Sequence, residues 1–325
     1  MKIISKHEPK QIRQLVAVIY GLPGIGKTSL AMSAEAALLV DTDNGSHRAI
    51  GQVDALGMDG WQDFIDLCKS PELNGYKTLV VDTLDTLLGY AIQYIRDNEA
   101  KLRGPKQPSP IDRYSGGLTL AGYGLLANLF EDALKTLRTR NIDLIFVAHA
   151  KEVKQDDAAY MSPEVTGKGS YKVLRQMADM IGYAEMTPQG RTVHFAPSSR
   201  HEGKDPFGLL GSVVIEPSAK DGSGLHIPTG QMARLLTHVR EGMSKAVALS
   251  EEVAKEMAEI RGYIEQATTI TQCNSIVAML VGYEGGPIPT VLKPLFMAKT
   301  KELGLKWDAE AGSYKSVQEG GGNEN

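Results

Sequence analysis

The chain has 325 residues, 42% hydrophobic and 23% charged, with a formal net charge of -4. That length can bury one large core or two smaller ones, and the mild charge advertises no polyanion partner, although a local basic loop on an acidic protein still binds phosphates. Cys68 and Cys273 stand far apart, which excludes a disulfide framework and suits a reducing compartment.

The opening "MKIISKHEPKQIRQ" has no apolar core of the signal-peptide kind, and no run approaches the roughly 18 apolar residues of a bilayer span. A soluble, cytoplasmic protein with no membrane partner is expected. Residues 14–20, "QLVAVIY", read as a strand, residues 28–36 as a small-residue helix, and residues 37–43, "ALLVDTD", as a second strand. "DGWQDFIDLCKS" suggests a helix, and residues 76–83, "YKTLVVDT", a third strand. Leu84, Leu87, Leu88, Ile92 and Ile95 then follow helical spacing, and a Pro/Gly-rich stretch at 103–117 reads as a long loop. "LTLAGYGLLANLFEDALKTLRTR" is a long helix leading into "NIDLIFVAHA", a fourth strand. Apolar strands separated by helices predict an α/β fold with a mainly parallel sheet sandwiched by helices.

Beyond Ala150 the polar stretch 151–175, with Gly167 and Gly169, reads as a mobile excursion, and residues 191–197 and 211–217 as further strands. From about Ser244 the pattern turns helical, with Ser250 as an N-cap ahead of Glu251 and Glu252. Val253, Met257, Ile260 and Ile264 form a stripe, helices are expected within 275–281 and 289–303, and Met257, Ile260, Met279 and Phe296 read as a small helical core. The predicted organisation is a nucleotide-binding domain over 1–243, a helical domain over 244–312 and a disordered tail over 313–325, ending in "EGGGNEN".

Gly21-Leu22-Pro23-Gly24-Ile25-Gly26-Lys27-Thr28 fits G-x-x-x-x-G-K-[ST] in full, between a strand and a helix. Glycines let successive backbone N–H groups curl around a phosphate, so Gly21, Pro23, Gly24, Ile25, Gly26, Lys27, Thr28 and Ser29 form the expected ATP cradle. Lys27 reaches the β- and γ-oxygens, and Thr28 ligates Mg²⁺. Asp82, closing the run "TLVVD", is the expected second metal residue, acting through water. A strand-end aspartate capping the next helix is the plainer account, but Thr83 or Asp85 can serve as that cap. Asp41 and Asp43 share a strand face if the second strand reaches Asp43, and either Asp43 positions the attacking water or "DTDNG" is simply a turn. His149 ends the fourth strand, where a polar side chain can report the γ-phosphate to the next loop; a lone histidine is as commonly structural.

"VDTDNGS", "YKTLVVDTLDTL", "NIDLIFVAHAKE" and "GKGSYKVLRQMADMIGYAE", in that order, resemble the RecA-like core of phage-encoded ATP-binding proteins, a group that includes phage single-strand annealing proteins. The resemblance spans residues 12–240 and stops before the C-terminal helices. It implies an ATPase acting in DNA annealing or recombination, in the cytoplasm of a phage-infected or prophage-bearing bacterium. Asp43 matches the family's catalytic acid, usually glutamate, and the shorter aspartate implies slow turnover. His149 matches the sensor position, with Lys27 and Asp82 completing the catalytic set. The family's single-stranded DNA loops fall on 151–175, implying contacts from Lys151, Lys154, Lys168, Lys172 and Arg175, with Tyr160 and Tyr171 stacking on bases; a solvated flexible loop is the alternative. "SSRHEGKDPFG" keeps the Lys204, Phe207 and Gly208 of a family segment but has Asp205 and Pro206 in place of its central residues. That removes an arginine finger at Pro206 and leaves Arg200 or Lys204 to reach a neighbouring subunit's γ-phosphate. A homo-oligomer, ring or filament, follows, with a single-strand DNA-binding protein as a further partner for the C-terminal helices. A nucleotide-switched assembly protein and a P-loop small-molecule kinase are the competing readings.

Overall fold

The computed structural model describes residues 14–43, 45, 53–104, 106–155, 158–220, 222, 226–283 and 287–316. The "EGGGNEN" terminus and the rest of the expected tail from 317 onward lie outside them. Contacts divide the chain into two compact units, residues 11–243 and a second that contains 244–325.

In the larger unit the strands are β1 (Val16–Gly21), β2 (Ala37–Asp41), β3 (Asp54–Gly57), β4 (Thr78–Asp82), β5 (Asp143–Gln155), β6 (Ala158–Pro163), β7 (Met180–Thr187), β8 (Gly190–His194) and β9 (Ser212–Val214). They form one sheet in the order β3-β2-β4-β5-β1-β7-β8-β9, with β6 paired to β5. From β3 to β7 neighbours run parallel, and β7-β8-β9 are antiparallel. The helices are α1 (Lys27–Ala31), α2 (Trp61–Lys69), α3 (Leu84–Asp97), α4 (Glu99–Leu102), α5 (Leu120–Arg138), α6 (Lys168–Met177) and the start of α7 (Gln231–Gln266). A small ladder pairs β10 (Ala219–Lys220) with β11 (His226–Ile227).

All six residues of β1 are buried because the sheet is covered on both faces. Alternation sends Val16, Val18 and Tyr20 into a core shared with Trp61, Phe64, Leu87, Phe130 and Phe146, beneath α2, α3 and α5. Ala17 and Ile19 face the opposite core, with Leu30 of α1, Met32 just after it, and Met232 and Leu236 of α7. The central, doubly buried strands thereby hold the phosphate-loop end of β1 level with the end of β4 and the middle of β5: Gly21 lies opposite His149, which therefore does not end its strand as expected, and Asp82 lies opposite Asp41.

Several expectations are corrected. The first helix ends at Ala31, five residues before Ala36, which has φ 42 in a turn. β2 ends at Asp41, so Asp41 and Asp43 do not share a strand face. The stretch after Ala150 is no mobile excursion: β5 continues to Gln155 and returns as β6 in a hairpin, and α6 follows. The last helical region begins at Gln231, which places Ser250 inside α7 and not at an N-cap.

The second unit contains α8 (Ile270–Gly282), α9 (Pro287–Glu302) and a hairpin of β12 (Leu305–Asp308) with β13 (Ser313–Ser316). Ile260, Ile264, Cys273, Ile276, Leu292 and Phe296 form its core. Thr269 and Gln272 cap α8 reciprocally. Met279, expected in that core, is 40% exposed, and Ser313–Ser316, expected in the tail, pairs with β12.

Candidate nucleotide site

The loop between β1 and α1 takes its shape from two glycines of positive φ, Gly24 at 76° and Gly26 at 98°. Gly21 serves a different need. A Cβ there would lie 2.3 Å from the Ala184 carbonyl oxygen, so the first glycine of the motif allows β7 to approach β1. Lys27 opens α1 with its side chain folded back over the loop, and Nζ donates to the carbonyls of Gly21 and Leu22, both at 2.9 Å. The residue is 6% exposed. Burial pulls its pKa down, and the nearby Asp82 and Asp85 carboxylates partly restore it.

Thr28 Oγ1 donates to Asp82 Oδ2 at 2.6 Å, joining the two expected metal residues directly. Burial raises the Asp82 pKa; the Thr28 hydrogen bond and Lys27 oppose the rise, whereas Asp43 and Asp41 add to it. A hydroxyl and a carboxylate within hydrogen-bond reach, flanked by two further carboxylates and a buried lysine, form an oxygen donor set suited to Mg²⁺. Thr42 and Thr83 fasten the tips of β2 and β4 together: Thr83 N donates to Thr42 Oγ1 at 2.7 Å, and Thr42 Oγ1 to the Thr83 carbonyl at 3.0 Å. Asp41 is buried and accepts from Gly45 N, whereas Asp43 is exposed, with Thr83 Oγ1 at 3.4 Å.

His149 is a third exposed, and its Nδ1 lies 2.9 Å from Asp85 Oδ2. Asp85 Oδ1 is buried without a hydrogen-bond partner. Glu164, whose N–H donates to the His149 carbonyl, brings a second carboxylate within 4.8 Å of both. The sequence reading had no means of finding Asp85 as the partner of His149, because 64 residues separate them.

The basic residues separate into two groups. Lys151 and Lys154 lie on the β5–β6 hairpin, Lys151 donating to the Val165 carbonyl at 3.4 Å, and Lys168 and Lys172 lie on α6. Arg175 is engaged within the chain, its Nε 2.8 Å from Oε1 of Glu202, which is 3% exposed. Tyr171 and Ser162 donate to the other oxygen of the same carboxylate. Burial, then Glu202, pushes the Tyr171 phenol up to about 12, so this hydroxyl keeps its proton and stays a donor. Tyr171 is therefore not a free stacking platform. Lys204, expected to reach a neighbouring subunit, bridges to Ile181 through its backbone and donates its Nζ to the Ala178 carbonyl. Lys204 is exposed, as Arg200 is, but its ammonium is engaged by that carbonyl. The reading of residues 191–197 as a mere strand overlooked Arg191, whose side chain lies beside Gly26 with Ile215.

A family model described as an AAA domain matches residues 13–207. No curated protein matches the chain. Among solved structures, the crystal structure of the RadB recombinase aligns at 14% identity with a TM-score of 0.33, covering 59% of this chain and 83% of that one. The family match takes in the Gly21–Thr28 loop, Asp82, His149 and more than half of the sequence, and the chain belongs to the AAA-domain family of P-loop NTPases.

Proposed function

We propose that the chain is an ATPase that binds ATP and Mg²⁺ at the Gly21–Ser29 loop and couples their turnover to single-stranded DNA. The 2.6 Å pairing of Thr28 with Asp82, beside a buried Lys27, carries this reading. Thr28 and, through water, Asp82 would hold Mg²⁺, which would supply a counter-charge for the phosphates. Lys27 exchanges the Gly21 and Leu22 carbonyls for phosphate oxygens, which restores a strong counter-charge to a desolvated ammonium. Asp43 is the residue free to orient water, and His149, held by Asp85, senses the γ-phosphate.

The DNA half of the proposal draws on the continuity of β5. The strand that ends the nucleotide site at His149 extends outward as the hairpin bearing Lys151 and Lys154. Ordering at His149 would thereby reach Lys151 and Lys154, with Lys168 and Lys172 following on α6. Annealing or recombination by a ring or filament, with Arg200 reaching a neighbour's nucleotide and a single-strand DNA-binding protein as partner, completes the proposal. ATPase rates with and without single-stranded DNA test it, with stimulation expected. A chain that binds no DNA at low salt, with or without ATP, sinks it.

A nucleotide-switched assembly protein with little turnover is the second reading, favoured by the exposed and short Asp43. Full function in Asp43→Ala, with loss in Lys27→Ala, selects it.

A further inference from the structure

Apart from Lys27, the catalytic candidates lie on one side of β1: Asp43 just after β2, Asp82 at the end of β4 and His149 within β5. The other side is formed by the β7–β8 hairpin, which continues past the level of Gly21. Ala184 pairs with Gly21 on β1 and Val193 on β8, and the ladder runs on through Met186–Arg191 to Thr187–Gly190. Alternation gives Arg191 the same sheet face as buried Val193, the face covered by α1. Its Nη1 and Cδ lie 3.5 and 3.6 Å from the point where a Cβ on Gly26 would stand, and Ile215 Cδ1 lies 3.7 Å from it. The Ile215 N–H donates to the Arg191 carbonyl at 2.7 Å, which ties the β8–β9 edge to this position.

Arg175, Arg234, Arg240 and Arg261 each face a carboxylate. The Arg191 guanidinium has no ion pair or side-chain hydrogen bond among the described residues. An exposed cation left unpaired beside the phosphate loop, with the buried Ile215 next to the same loop glycine, is placed to receive an anion. The Thr28–Asp82 pair marks the metal end of the cradle, so a phosphate chain running away from it points its far end toward β7 and β8.

We propose that Arg191 binds the α-phosphate end of the nucleotide, an affinity contact common to ADP and ATP and separate from γ-phosphate sensing at His149. The inference rests on the nucleotide reading of the loop. A charge-assisted hydrogen bond of this kind is worth about tenfold to a hundredfold in affinity.

The test is calorimetric titration of the full chain with Mg²⁺–ADP, a non-hydrolysable Mg²⁺–ATP analogue and Mg²⁺–tripolyphosphate. Wild type is compared with Arg191→Ala, Arg191→Gln, Arg191→Lys and, as a control on the same hairpin, Met186→Ala. Arg191→Ala and Arg191→Gln are expected to weaken all three ligands by similar factors, with partial recovery in Arg191→Lys and none of the loss in Met186→Ala. Loss for the ATP analogue alone, or for the two nucleotides but not tripolyphosphate, overturns the assignment, the first pointing to a γ-contact and the second to a base contact. Unchanged affinity in both uncharged variants overturns it outright. A wild-type chain that binds none of the three overturns the nucleotide reading itself.

Discussion

Replacing Gly21 by alanine should damage the fold before it damages phosphate binding. The added Cβ would stand 2.3 Å from the Ala184 carbonyl oxygen and 3.1 Å from the Ala184 Cβ. An ordinary C···O contact is about 3.3 Å, so β1 and β7 must part by about 1 Å at this rung. The oxygen belongs to the backbone of a strand paired on both sides and has no rotamer through which to withdraw. The cost is at the upper end of overpacking, about 3 kcal/mol, or a fall of about 6–12 °C in Tm for a unit of this size. Gly24→Ala provides the contrast, because nothing lies within 4 Å of its Cβ position and only its φ of 76° resists substitution. Its cost is about 1–2 kcal/mol. Thermal unfolding followed by circular dichroism, without nucleotide, compares the two. A Gly21→Ala variant that melts within about 2 °C of wild type, or above Gly24→Ala, refutes the close-approach account.

Asp82→Asn should separate stability from function. With its native pKa raised, Asp82 keeps its proton to higher pH in the folded chain than in the unfolded one, so its contribution to stability is lost as pH rises out of the ordinary carboxylate range. Urea unfolding at acidic and neutral pH should therefore show the asparagine variant gaining on wild type toward neutrality, while it loses the Mg²⁺–nucleotide stabilisation of about 2.7 kcal/mol expected for wild type at a hundred times Kd. Asp85→Asn should slow ATP turnover about tenfold or more while weakening ADP much less, since it removes the carboxylate paired with His149 and leaves Lys27 its larger neighbour, Asp82; equal losses in both would assign Asp85 to binding. Tyr20→Phe removes the one hydroxyl donor shared by the Met161 and Glu202 carbonyls and should cost about 1–3 kcal/mol in urea unfolding. The Cys68 thiol, raised to about 12 by burial, should resist a thiol reagent at pH 8 until the chain unfolds.

The parallel centre of the sheet was legible because β1, β2, β4 and the first half of β5 are unbroken apolar runs. The Gly21–Thr28 motif was legible because its glycines, lysine and threonine fall at fixed spacing within eight consecutive residues. β3 carries no such signal: its residues "DALG" are all exposed, and backbone pairing to β2 alone makes it a strand. β7 was hidden because "MIGYAEMT" follows α6 after two residues and mixes polar with apolar positions at its end. The basic run after Ala150 showed its charges but not their partners. Glu202, which engages Arg175 and Tyr171, is 27 residues from one and 31 from the other, and no local period links them. Arg191 escaped for the same reason, since its neighbour Gly26 lies across the sheet.

Tyr20, the last residue before the phosphate loop, donates to Met161 on β6 and to the backbone of Glu202, whose side chain holds Tyr171 and Arg175 on α6. One phenol thus bolts the strand beneath the loop to the root of the hairpin and to the adjoining helix. Burial raises its pKa well above the ordinary tyrosine value, so the bolt keeps its proton across the physiological range. The hairpin is in effect a cantilever clamped at Met161: a pull on β6 is felt as torque on Tyr20, the residue that precedes Gly21.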